Sequence, residues 1–62
     1  MELVKYHGKW QISFHVNRAA SVRDWLTDNS IKYKMLVRGS KVYITLLNSD
    51  DLTICKIKFG LR

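Results

Sequence analysis

Lys32, Lys34, Arg38 and Lys41 fall in a stretch, Asn29 to Asn48, that holds no acidic side chain. Cations grouped in this way neutralise phosphates or carboxylates. Read as a strand, Ile31–Arg38 sends Lys32, Lys34 and Arg38 to one face. Ile31, Tyr33, Met35 and Val37 then take the other. The same split recurs where Lys56 and Lys58 alternate with Cys55, Ile57 and Phe59. A sheet with one apolar and one cationic face is a binding surface for an anionic partner.

The other chemistry-bearing residues are sparse. His7 and His15 lie eight apart and Cys55 is far from both, whereas zinc needs three or four ligands. No metal site and no cofactor is expected. Asp24 and Asp28 are an ordinary solvated pair at helical spacing, and Asp50-Asp51 sits in a turn. No Ser, Cys or His lies in a nucleophile motif, so the expectation is a protein that is not an enzyme. A metal-free ribonuclease needs only groups such as His15, Tyr43 and Lys34, and is the minor alternative.

Sixty-two residues with a net charge of +6 make one domain, spanning 1–62, with one small core. That balance suits nucleic acid or an acidic protein partner. It also serves solubility, but solubility does not require the charges to share a face. The single cysteine excludes an internal disulfide, which points to a reducing, cytoplasmic compartment. Met1–Tyr6 lacks the apolar core of a signal peptide, and no apolar run is long enough to span a membrane.

The elements that must position these residues follow from periodicity. Lys9–Val16 alternates Trp10, Ile12, Phe14 and Val16 with Lys9, Gln11, Ser13 and His15, which reads as a strand. Leu3–Tyr6 adds a short strand at most, with His7-Gly8 as its turn and Tyr6 assigned to neither face. Arg18–Asp28 is the single helix, capped by Asn17 and ended by Asn29 in the left-handed region. Ile31–Arg38 and Lys41–Leu47 form a hairpin on Gly39-Ser40, with Gly first in the turn. Asn48–Asp51 is a polar turn, and Leu52–Phe59 reads as a last strand.

The expected fold class is therefore α+β. It has a mostly antiparallel sheet of four strands, or five with Leu3–Tyr6, in the chain order strand, helix, strand, strand, strand. The helix packs on one face and makes the two strands it joins parallel, with a right-handed connection. The expected core is Trp10, Ile12, Phe14, Val22, Trp25, Leu26, Tyr33, Met35, Val37, Val42, Ile44, Leu46, Ile57 and Phe59.

On the bare face, Lys32, Lys34, Arg38, Lys41, Lys56 and Lys58 would contact phosphates, and Tyr43 and His15 bases or sugars. The expected function is a non-catalytic regulator that binds nucleic acid, RNA rather than DNA. Leu36, Leu47 and Ile54 share the outward parity. They are the anchors of the alternative, a small phage-encoded or antitoxin-like inhibitor of an acidic protein, and leave room for a homodimer.

Overall fold

The computed structural model describes residues 1–61. Strand β1 (Glu2–Tyr6) turns into β2 (Lys9–His15), and a single 3-10 turn (Val16–Arg18) leads into helix α1 (Ala19–Asp28). Strands β3 (Tyr33–Arg38) and β4 (Lys41–Leu46) follow, then helix α2 (Ser49–Phe59). The chain thus repeats one unit, hairpin then helix, twice.

Both hairpins turn in two residues. His7 and Gly8 both have positive φ, the backbone of a turn whose twist matches its strands. In the second hairpin Gly39 takes the positive φ at the first turn position, as the sequence indicates.

All pairings are antiparallel, in the order β1-β2-β4-β3. The α+β class, the four-stranded antiparallel sheet and the helix on one face agree with expectation. The order along the chain differs, as does the last element, while the strands on either side of α1 are parallel as expected. β2 and β3 do run the same way, but β4 inserts between them and bonds to both. A hairpin partner needs only a two-residue loop, and β4 carries its own hairpin into the gap.

Leu52–Phe59 is not a strand but the body of α2. Four local signals make it helical. The Asn48 side chain accepts from the Asp50 N–H, Asp50 and Asp51 occupy the first turn, Lys56 and Lys58 the last. Gly60 then takes the left-handed C-terminal position, with Leu61 N–H donating to the Lys56 carbonyl at 2.9 Å. Leu52, Cys55 and Phe59 fall on one side at helical spacing.

Helix α1 starts one residue later than expected and stops at the expected Asp28. Asn17 does not cap it: Arg18 stands at the N-cap and makes no side-chain capping bond, while the His15 imidazole caps the preceding 3-10 turn, its Nδ1 accepting from the Asn17 N–H at 3.1 Å. Ser30, not Asn29, takes the left-handed conformation. Ser30 N–H donates to Thr27 and Ile31 N–H to Leu26, which closes the last turn. Ile31 and Leu26 are both buried there.

The core lies between the sheet and both helices. Ile12, Phe14, Val42 and Ile44 from the central strands meet Val22, Leu26, Ile31 and Cys55, all buried. Trp25, Tyr33, Leu46 and Phe59 pack half-buried at its margin. Four residues expected in the core are not there. Ile57 is 80% exposed, because the helical turn aims it away from the sheet. Met35 and Val37 keep the inner parity but ride an edge strand that the helices leave uncovered, and are exposed. Trp10 is 47% exposed at the end of β2, where the Lys5 ammonium stands 5.6 Å from the ring centroid.

Candidate nucleic-acid interface

Because Cys55 and Phe59 join the same core as Val22 and Leu26, both helices cover the same side of the sheet. Among the described residues no element covers the opposite face. Strand register fixes what it presents. Across β2, β4 and β3, the first row is His15, Lys41 and Arg38. The next row, starting on β1, is Glu2, Ser13, Tyr43 and Leu36. Val4, Gln11, Thr45 and Lys34 follow, and Tyr6 and Lys9 close the face on the β1 side. Lys32 and Leu47 extend the last row on the other side, where Leu47 N–H donates to the Lys32 carbonyl at 3.2 Å.

The charge is divided unevenly. Lys9, Lys32, Lys34, Arg38 and Lys41 share the open face with one acid, Glu2. On the helical side, Lys5, Arg18, Arg23, Lys56 and Lys58 are balanced by Asp24, Asp28, Asp50 and Asp51. Glu2 arrives on the open face because β1 is a full edge strand. Its carboxylate lies 3.8 Å from the Lys41 ammonium. Both groups are exposed, so the pair is weak and screened by salt.

Of the residues expected to bind, Lys32, Lys34, Arg38, Lys41, Tyr43 and His15 stand together on this face. Lys56 and Lys58 do not: they belong to α2, and the Lys58 ammonium lies 6.0 Å from the Trp25 ring centroid. Ile54 also leaves the face with α2, which separates it from Leu36 and Leu47. His15 and Lys34, two of the groups a metal-free ribonuclease would use, oppose Lys41 and Thr45 on β4. Four residues of strand separate those positions by about 13 Å, so the two groups do not converge. Among the described residues no group of His, Cys, Asp and Glu could hold a metal ion.

Sequence reasoning missed Tyr6. Its ring is held edge-on to His7, with centroids 4.1 Å apart. It lines one hollow of about 150 Å³ with Gln11, Leu36, Arg38 and Tyr43. Every strand therefore contributes to that hollow: β1 through Tyr6, β2 through Gln11, β4 through Tyr43, and β3 through Leu36 and Arg38. The signal was available in the two-residue turn His7-Gly8, which sets Tyr6 opposite Lys9 and so on the face of Lys9. Below the hollow's rim, Gln11 Nε2 donates to Thr45 Oγ1 at 3.0 Å across the β2–β4 seam.

Comparison with known proteins finds no matching family model, no matching curated protein and no matching solved structure. Among the described residues no helix is long and apolar enough to cross a membrane.

Proposed function

We propose that this domain is a non-catalytic nucleic-acid-binding regulator, and that it takes single-stranded RNA across its open sheet face. One observation carries the reading: the uncovered face holds five cations against a single acid, while the helical side is close to balanced. Lys32, Lys34, Arg38 and Lys41 line the β3 side and contact phosphates. Tyr43 and Tyr6 stack on bases, and His15 contacts base or sugar. An open sheet suits a single strand, because splayed bases lie on its aromatics while the backbone follows the cationic border.

The protein-inhibitor alternative draws less support. Its three anchors would have to meet on one surface, and Ile54 is on the helical side while Leu36 and Leu47 are not.

The test is a titration of a fluorescein-labelled single-stranded RNA decamer at several salt concentrations. Each phosphate contact contributes about 0.7 to the slope of log affinity against log salt. Replacing Lys32, Lys34, Arg38 and Lys41 together with Gln should weaken binding and flatten that slope. Wild-type protein that binds no strand, or a quadruple variant with an unchanged slope, defeats the proposal.

A further inference from the structure

We infer that the hollow bounded by Tyr6, Gln11, Leu36, Arg38 and Tyr43 is a subsite for one unstacked guanine base of the bound strand. This rests on the nucleic-acid reading of the open face. Size is the first argument. At about 150 Å³ the hollow is well below the 300 Å³ or more of a site for a drug-sized ligand, so it admits one small planar group. Its walls are the second. Two tyrosines supply aromatic surface, and Leu36 supplies apolar contact. Lys32, Lys34 and Lys41 hold the phosphates on either side, which frees Arg38 for the base.

The polar groups choose the base. Gln11 Nε2 is engaged by Thr45 Oγ1, which fixes the amide and leaves Oε1 as a free acceptor. Arg38 brings a planar fork of donors and no acceptor. Guanine is the purine with two adjacent acceptors on one edge, O6 and N7, which match such a fork. Its N1–H and N2–H₂ donors then face Gln11 Oε1. Adenine sets an amino group beside N7, where it opposes the guanidinium. Uracil has no such adjacent pair, and cytosine, which pairs O2 with N3, offers a single ring with less surface to stack on the tyrosines than a purine. The subsite therefore reads guanine by hydrogen bonds and holds it by stacking.

Fluorescence anisotropy with three labelled RNA decamers tests this: all uridine, and the same strand with one central guanosine or one central adenosine. Wild-type protein should bind the guanosine strand about tenfold more tightly than the uridine strand, the scale of one bidentate base contact. The adenosine strand should gain at most about threefold, from stacking alone. Gln11→Leu should erase the guanosine gain. Arg38→Lys, an exposed change that keeps the charge, should erase the difference between the guanosine and uridine strands too. Binding of all three strands with equal affinity overturns the subsite but leaves the proposed function standing. So does a guanosine gain that survives Arg38→Lys, or an equal gain for adenosine. Binding of none overturns both.

Discussion

The rings of Trp25 and Phe59 meet edge to face, with centroids 5.2 Å apart and planes at 69°. One ring belongs to α1 and the other to α2, so the contact ties the two helices to each other above the sheet. Aromatic pairs of this geometry are worth about 0.5–1.5 kcal/mol beyond the area they bury. A double-mutant cycle with Trp25→Leu and Phe59→Leu, followed by urea denaturation, should return a coupling of that size. Additive single effects would mean that the helices are held independently.

Helix α2 depends on its ends. Asn48→Ala removes the acceptor of the Asp50 N–H and should cost about 1 kcal/mol. Gly60→Ala meets no neighbouring atom but must hold φ at +67°, which costs about 1–2 kcal/mol. Both should lower the urea midpoint and reduce helical circular dichroism near the C-terminus, the second more than the first. Unchanged midpoints would show that Ser49–Phe59 does not depend on its caps.

The two faces should separate in binding. Lys56→Gln with Lys58→Gln removes the same charge as Lys34→Gln with Lys41→Gln, but from the helical side. The first pair should leave the salt slope within about 0.3 of wild type, and the second should lower it by about 1.4, two contacts at the single-strand value. Equal effects would mean that net charge, and not the open face, governs binding.

Cys55 should be inert while the protein is folded. The side chain is buried, and burial together with the nearby Asp51 charge pushes its thiol pKa up. Alkylation by iodoacetamide at pH 8 should be slow until denaturant is added. The folded state keeps the thiol proton more tightly than the unfolded chain. Its contribution to stability is therefore complete below the ordinary thiol pKa of about 8.5 and declines as pH rises beyond it. A native-state rate equal to that of a free thiol would place Cys55 outside the core.

Much of this structure was legible in the residues. Lys9–His15 and the Gly39-Ser40 hairpin follow period-two alternation and turn chemistry, and both the sheet and its cationic face rest on them. Lys34, Arg38, Lys41, Tyr43 and His15 fall where that alternation puts them. The failures have separate causes. In Leu52–Phe59 a period of two and a period of 3.6 both fit the apolar residues, and the helix is decided by its ends: Asn48 before it, Asp50 and Asp51 inside it, Gly60 after it. Lys56, Lys58 and Ile54 were misplaced together for that reason. Tyr6 was left without a face because the strand carrying it has little alternation of its own and takes its register from β2. Met35 and Val37 obey the inward parity, but parity does not say whether a helix will lie over an edge strand.

The β2–β4 seam sets a timetable for the chain. Each hairpin closes on two residues and forms within microseconds, with no information from the rest of the molecule. The seam has no such shortcut. His15 can meet Lys41 only after the intervening segment has been looped back, and the bond from Val16 N–H to the Ser40 carbonyl, 2.7 Å long, lies just beyond that pair. That loop closure is the longest-range step in organising the sheet. The Gln11–Thr45 bond spans the same seam. The hollow with strands on both sides of it therefore comes into being only when the two halves of the chain have found each other.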